Sequence, residues 1–575
     1  MKSIAGWVLP ALLLFAAIPD SKQGANGGNN CLVCTYIVAL LEQLTEIRQT
    51  SVIETLDQFC SYLPVDVQPM CHTAIKALGP AVIKLLIARE DPNVICHALK
   101  ICYTEPGQPV CRGPAPPGSS GVKDPDFKAK VLAARLSLSP AIGQLSHLNV
   151  LTFCQIPGVR ELCYWIHRFS DQHEPVKDDD QDGFSTMFGM RGTAWRGKDC
   201  SDQAPDIHPG AIPQNGDREV DSNCNGIFGV NNLTQQNYED ELCGSSQPRG
   251  VVVLGDSISA HFHLPRQWFD ATLISKDSFK NLLTILENEF DWPSMSTMTG
   301  YGENLWPEAI TGAVDSIYKR LRERNRCNHR DYQNLAANGV SSWKVMKAAK
   351  TLSRHAGKDQ PLLVYFALAG NDVCTSRWNS VDDMTSPEEM YNNTMATLDL
   401  LGQTLPNNSH VILVSLLDGG VIYDIMATRV HPATTYWGTF TYGDLYQYYE
   451  CLQMTLCVGW LNANKTIRDM TSKRAEQLTA VLQKIVQVHK GRYPNFQMHF
   501  LEFNHHEVLK KWLDSGREAW EMMDAIDSFH TSQDFQAFSA EHIWNQTLAS
   551  FPQALGPVNP HNDRIVQLFG QQGGH

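Results

Sequence analysis

Val251-Val252-Val253-Leu254 is a run of four apolar residues, three of them β-branched, cut off by Gly255-Asp256-Ser257. Such a run reads as a short buried strand, and the residues after it as a strand-to-helix turn. Further candidate strands at Tyr332–Ala336, Leu362–Ala369, Val411–Leu416 and Met498–Phe503 alternate with longer helical stretches. That alternation predicts an α/β domain with a parallel sheet over residues 248–575. Long connections, from Ser257 to Asp331 and from Leu417 to Phe496, leave room for loops and helices inserted around a site.

A sheet of this kind keeps its chemistry at the carboxyl ends of its strands. Polar signals stand there: Gly255-Asp256-Ser257, then Asn338-Gly339-Val340-Ser341, then Gly370-Asn371-Asp372, with Asp527-Ser528-Phe529-His530 near the C-terminus. Each alone is an ordinary turn or a lone histidine. Together and in this order they resemble the SGNH, or GDSL, hydrolases, whose four name residues fall on Ser257, Gly339, Asn371 and His530. Ile258 and Ser259 stand where that family usually has Leu, and Thr531 where it has Pro; neither change removes a chemical group. The resemblance implies a flavodoxin-like parallel sheet with helices on both faces.

The chemistry follows from the residue types. A serine hydroxyl needs a base to take its proton, which His530 can do near neutral pH with Asp527 orienting its imidazole. The carbonyl of an ester gains negative charge in the transition state. The N–H groups of Ser257 and Gly339 and the Asn371 side-chain amide are the candidate oxyanion donors. Asp256 is expected to pin the turn, and His261 and His263 to serve structural or substrate-side roles.

Residues 1–23 read as a secretory signal, with Lys2 before an apolar stretch from Trp7 to Ile18 and small residues after it. No later run is expected to span a membrane. Sixteen cysteines fit an oxidising compartment. N-x-S/T sequons at Asn232, Asn392, Asn407, Asn464 and Asn545 agree. These features predict secretion, with lysosomes or cytoplasmic vesicles as further destinations. A net charge of −14 argues against a nucleic-acid binder.

Six cysteines lie between residues 30 and 102, among apolar residues at helical spacing: Val33, Ile37, Leu40, Leu41 and Leu44, then Ile75, Leu78, Val82, Leu85 and Leu86. So short a stretch has a thin core, for which disulfides compensate. Six cysteines allow fifteen pairings, and spacing does not choose among them. The opening Cys31-x-x-Cys34, the central Cys60 and Cys71, the closing Cys96 and Cys102, and Gly79-Pro80-x-Val82-Ile83 resemble the saposin-B family. That resemblance implies the pairs Cys31–Cys102, Cys34–Cys96 and Cys60–Cys71. It also implies four or five amphipathic helices, over residues 30–111, that contact lipid tails or a membrane surface.

Residues 112–170 read as a linker and processing region, opening in a proline-rich stretch with a short helix expected at Phe127–Leu138 and a local pair, Cys154 and Cys163. If the chain is nicked there, a bond from Cys111 to the large domain would hold the halves together. The partners of Cys111, Cys243, Cys327, Cys374, Cys451 and Cys457 stay open.

Residues 171–247 are acidic and glycine-rich. Asp178-Asp179-Asp180-Gln181-Asp182-Gly183 matches the first half of a calcium loop, but Gly189 stands where an EF-hand needs Glu. Two more clusters follow, Asp199-Cys200-Ser201-Asp202 with Asp206 and His208-Pro209-Gly210, and Asp221-Ser222-Asn223-Cys224-Asn225-Gly226. They resemble the calcium-binding segments of some extracellular proteins. The candidate ligands are Asp178, Asp180, Asp182, Phe184, Asp199, Asp202, Asp206, His208, Asp221, Asn223 and Asn225, with Cys200 and Cys224 stapling the segment. A solvated acidic loop would explain the charge but not the repeated Gly and Cys. More than one structural Ca²⁺ is expected, and oxygen donors without a His/Cys tetrad argue against zinc. Arg191, Arg196 and Lys198 stand here beside Trp195, suited either to an anionic head group or to a surface role.

The order of the three parts resembles the acyloxyacyl hydrolase family along nearly the full length, including Cys327-Asn328-His329-Arg330-Asp331-Tyr332-Gln333-Asn334 and the ending Phe569-Gly570-Gln571-Gln572-Gly573-Gly574-His575. That resemblance implies a serine ester hydrolase acting on secondary, acyloxyacyl-linked chains of lipid A in lipopolysaccharide. It also implies activity on phospholipids, and a precursor that matures into small and large disulfide-joined subunits. A broader phospholipase or lysophospholipase, and a non-catalytic lipid carrier, are the competing readings; the complete set of site residues speaks against the carrier.

Overall fold

The computed structural model describes residues 24–65, 68–119, 125–138, 173–301, 306–374 and 383–575. The signal segment, the Cys154–Cys163 pair and much of the 112–170 region lie outside the described residues.

Five strands form one parallel sheet: β1 (Gly250–Gly255), β2 (Tyr332–Asn334), β3 (Leu362–Ala367), β4 (Ser409–Val414) and β5 (Phe496–Leu501), in the order β2-β1-β3-β4-β5. All neighbours run parallel, with Val251 beside Tyr332 and Val252 beside Val364. This is the flavodoxin-like order, in which the chain turns back between β1 and β3 and opens a crevice at their carboxyl ends. Each expected strand is present. The last two begin two residues earlier than the apolar runs, because Ser409 and His410 of β4 pair with Phe496 and Gln497 of β5. Every residue of β1 and β4 is buried, which explains the lack of polar alternation in their sequences.

The N-terminal domain is all helical: α1 (Gly28–Arg48), α2 (Val52–Tyr62), α3 (Gln68–Ile87) and α4 (Pro92–Ala98). Local chemistry sets the boundaries. Ser51 and Glu54 form a capping box at the start of α2, and Asp91 caps α4 with Pro92 in its first turn. The cysteines pair as Cys31–Cys102, Cys34–Cys96 and Cys60–Cys71. A further helix, α5 (Phe127–Ser137), covers the stretch expected to be helical and packs against α4.

By length and composition α1 is apolar enough to cross a membrane, contrary to the expectation that no later run would be. Its apolar surface has another use. Leu40, Leu41 and Leu44 of α1 and Leu56 and Phe59 of α2 share a core with Trp268, Phe279, Ile285 and Trp292, which lie in the long β1–β2 connection. The helical domain is thus packed onto the catalytic one through the face that its periodicity makes apolar.

The remaining described cysteines pair as Cys111–Cys451, Cys200–Cys224, Cys243–Cys327 and Cys374–Cys457. Cys111–Cys451 joins the end of the helical domain to α6 (Tyr442–Cys451) of the large domain, across 340 residues of chain. All five sequon asparagines, Asn232, Asn392, Asn407, Asn464 and Asn545, are exposed. We expect that cutting a protease site engineered at residues 120–124 leaves one species on a non-reducing gel and two on a reducing gel. Cys451→Ser should release the small fragment without reductant.

Candidate active site

β1 ends at Gly255, where any side chain would strike Ser259 and the Ala367 carbonyl. The chain then turns through Asp256 into a four-residue helix that starts at Ser257. Asp256 is buried, and its carboxylate accepts the N–H of Ile258 at 3.1 Å on the nucleophile turn and those of Ala369 and Gly370 at 2.7 and 3.3 Å beyond β3. It pins the turn, as expected, and also joins it to the loop that carries Asn371.

His530 Nε2 lies 2.8 Å from Ser257 Oγ, and His530 Nδ1 lies 2.5 Å from Asp527 Oδ2. The other Asp527 oxygen accepts the N–H groups of Phe529 and His530, which fixes the carboxylate relative to the ring. Burial alone would depress the His530 imidazole, but Asp527, with Asp524 and Asp256 behind it, outweighs burial and holds its pKa above the ordinary histidine value. An imidazole so placed can take the serine proton and keep it while charge develops.

Gly339 has φ of +71°, a conformation that favours glycine, and a Cβ built there would face open space. Asn371 lines the same cleft as Ser257. A residue that the sequence reading left without a role, Asp372, ties these loops together. Its buried carboxylate accepts the Ser342 N–H at 2.9 Å, the Ser342 hydroxyl at 2.6 Å and the Thr385 hydroxyl at 2.8 Å.

Asp524 was missed too. One of its oxygens accepts the N–H groups of Ile526 and Asp527 at 2.7 and 3.0 Å, and the other lies 2.6 Å from His263 Nδ1. His261 is buried, and burial drives its pKa down to about 3, so it stays neutral. Both histidines after the nucleophile are therefore enclosed.

An open cleft of about 860 Å³ adjoins Ser257 and Asn371. Its walls are largely apolar, among them Val421, Ile422, Trp460, Leu509, Phe529 and Phe535. They come from the connection after β4, from α7 (His505–Asp514), from the loop that carries Asp527 and His530, and from α8 (Gln533–Ser550). No local motif marks them, since each is an ordinary apolar residue until the fold brings them together.

The acidic segment folds into two loops of one pattern. Asp178 accepts the Gly183 N–H, Asp180 that of Asp182, and Asp182 that of Phe184. Likewise Asp221 accepts the Gly226 N–H, Asn223 that of Asn225, and Asn225 that of Ile227. Gly183 and Gly226 both have positive φ, which the turn requires.

In the first loop the carboxylates of Asp180, Asp182 and Asp199 converge, as do those of Asp178, Asp180 and Asp202. One oxygen each of Asp180, Asp182 and Asp199 is buried with no hydrogen-bond partner among the described residues. Burial, then repulsion among neighbouring carboxylates, pushes Asp182 up to about 8 and Asp199 up to about 6. Such a set fits a bound divalent cation with hard oxygen ligands.

In the second loop Glu239, which sequence reasoning missed, accepts the side-chain amides of Asn223 and Asn225 and is pushed up to about 8 by burial. It sits on a short helix remote from the motif in sequence. Two expected ligands are not drawn in. Asp206 is exposed and pairs with Lys358, and His208 stacks on the Phe184 ring and bonds the Pro209 carbonyl. Arg191 and Arg196 are buried rather than on a head-group surface. Arg191 grips Glu289 and the Ala336 carbonyl, and Arg196 binds the carbonyls of Gly183 and Thr351.

Replacing Asp372 by Ala leaves the Ser342 N–H without its acceptor and unties the Gly339 loop from the Asn371 loop. We expect kcat on a soluble ester to fall about 10²-fold with little change in KM, the signature of lost transition-state donors.

Comparison with known proteins agrees with this geometry. Residues 30–164 match the family described as saposin-like domain, and residues 251–543 that described as GDSL-like lipase/acylhydrolase. The chain is 38% identical to a Homo sapiens protein named acyloxyacyl hydrolase over 97% of this chain and 95% of that one. The protein of that name from Mus musculus is 37% identical over 97% and 96% of the two chains. A Mus musculus prosaposin is 27% identical over 15% of this chain. With the serine site and the disulfide-stapled helices in place, this chain belongs to the acyloxyacyl hydrolase family and is a lipid acyl hydrolase that acts on carboxylic esters.

Proposed function

We propose that the chain hydrolyses the secondary, acyloxyacyl-linked fatty chains of lipid A in bacterial lipopolysaccharide, and so detoxifies endotoxin. The observation that carries this reading is the Ser257–His530–Asp527 array opening onto a largely apolar cleft. The relatives' printed name supports the acyloxyacyl bond as the target. A fatty chain lies in the cleft with its ester carbonyl at Ser257. Ser257 Oγ attacks that carbonyl carbon as its proton passes to His530 Nε2. The oxyanion is met by the N–H groups of Ser257 and Gly339 and the Asn371 amide. The intermediate collapses to an acyl-serine, and the departing hydroxyl oxygen takes the proton from His530. Water, deprotonated by the same imidazole, then releases the fatty acid.

Lipid A is an aggregated amphiphile with its esters beneath charged head groups. The saposin-like helices, packed beside the catalytic domain, suit the work of engaging such an aggregate. Secretion, with a lysosomal or vesicular destination, fits the seven disulfides among the described residues and the five exposed sequons. Cys111–Cys451 is suited to hold small and large subunits after maturation.

The two acidic loops are assigned to structural Ca²⁺, with Asp178, Asp180, Asp182, Asp199 and Asp202 at the first and Asp221, Asn223 and Asn225 with Glu239 at the second. The ion would offset the mutual repulsion of Asp180, Asp182 and Asp199, each of which has a buried oxygen without a hydrogen-bond partner among the described residues.

Mass spectrometry of products from lipopolysaccharide and from phospholipid vesicles should show loss of secondary acyl chains from lipid A, with primary chains kept. Preferential phospholipid cleavage would favour the broader phospholipase. Ser257→Ala should lose both activities while still binding lipid, and persistent hydrolysis would overturn the nucleophile assignment. Prolonged chelation should lower Tm, with recovery on adding Ca²⁺, and Asp182→Asn should reduce that recovery.

A further inference from the structure

Residues 524–530 carry Asp527 and His530, and Asp524 anchors one side of this loop. The other side is held by the segment before and within α6. The Tyr442 hydroxyl donates to the Ala525 carbonyl at 2.5 Å, and the Tyr446 and Ser528 hydroxyls lie 2.7 Å apart. His431 Nε2 lies 2.7 Å from the Ile526 carbonyl, and the Ala433 N–H donates to His431 Nδ1 at 3.1 Å. That pair of bonds places the ring proton on Nε2, so His431 donates to the residue next to Asp527. His431 is fully buried, and burial drives its pKa down to about 4, so the ring stays neutral and keeps that tautomer.

The ring of His431 is itself boxed in by Tyr442 at 5.0 Å, by Phe440 at 6.1 Å and by Tyr36 at 5.7 Å. Tyr36 belongs to α1 of the saposin-like domain. Its hydroxyl is buried without a hydrogen-bond partner among the described residues, so it contributes its ring rather than its polar end. Two neighbours on α1 bind the same region. The Gln43 amide donates to the Ala433 carbonyl at 2.7 Å, and the Thr35 hydroxyl lies 2.9 Å from that of Tyr448.

We infer that the saposin-like domain positions the Asp527–His530 pair through Tyr36, His431 and the Ile526 carbonyl, in addition to any handling of lipid. Tyr36 and His431 are positioning residues that touch no substrate. The inference rests on the reading of Asp527 and His530 given above. It separates two roles for the helical domain. A domain that only presents lipid is dispensable for a small, monomeric ester, whereas one that positions the catalytic loop is needed for every substrate.

The test uses the full chain and a short-chain p-nitrophenyl ester that does not aggregate. Tyr36→Ala and His431→Phe should lower kcat at least about tenfold with KM nearly unchanged, since small displacements of reacting groups are costly. The low-field proton resonance of the His530–Asp527 hydrogen bond should weaken in both. Tyr36→Phe should rescue the ring contact, and His431→Gln, which supplies an N–H near the Nε2 position, should recover part of kcat. Unchanged kcat and resonance, with a loss confined to lipid vesicles, would overturn the inference. So would a loss that Tyr36→Phe shares. If an alanine variant fails to fold, Tyr36→Leu keeps the core filled and is judged by the same two readouts. Full soluble-ester activity in Ser257→Ala would instead sink the assignment of the site itself.

Discussion

Asp256 sits enclosed where the sheet reverses its strand order, and its two oxygens accept N–H groups from two loops. Removing that carboxylate would leave the buried Ala369 and Gly370 donors without this acceptor, at about 1–3 kcal/mol each, and the part-buried Ile258 N–H without its cap. Asp372 repeats the device between the loops of Gly339 and Asn371, and Asp524 repeats it beneath Asp527. Main-chain N–H groups satisfy these oxygens, joined by the Ser342 and Thr385 hydroxyls at Asp372 and by His263 at Asp524. The groups that meet a substrate are thus set on loops that buried carboxylates make rigid.

That framework extends into the other two parts of the chain. Arg196 ties the first acidic loop, through the Gly183 carbonyl, to the Thr351 carbonyl and to Gln333 of β2. The helical domain lays the apolar faces of α1 and α2 on the β1–β2 connection, and Tyr36 reaches the backing of the histidine loop. Its periodic leucines are therefore core residues of an interface as well as of a domain. The same amphipathic pattern serves packing here and lipid in a free-standing saposin, and periodicity alone does not distinguish the two.

Much of the architecture was legible. Continuous apolar runs marked β1 and β3, because a strand buried on both faces has no polar alternation to hide it, whereas β2 and the partly exposed β5 carry polar residues and were placed by the alternation of strand and helix along the chain. The order of Ser257, Gly339, Asn371 and Asp527/His530 marked the site, since each follows or caps an element whose type could be read locally. Strand ends shifted by two residues at β4 and β5 because Ser409 and His410 are polar and are held in the sheet by pairing with β5. Glu239, Asp372 and Asp524 carried no local signal, because Asn223 and Asn225, Ser342, and His263 reach them from other loops. Asp206 and His208 carried one, in the spacing of their segment, yet their side chains turn to Lys358 and Phe184.

The chain by itself determined what is short-range or combinatorial: strand and helix type, the caps at Ser51 and Asp91, the two D-x-[D/N]-x-[D/N]-G turns, and the identity of the chemical groups. Only the tertiary structure decided that Cys111 meets Cys451, that apolar residues of α7, α8 and the loop after β4 line one cleft, and that Tyr36 backs His431. These contacts join residues hundreds of positions apart. Their free energy comes from burying surfaces against one another, and that complementarity exists only once the sheet and its insertions have closed.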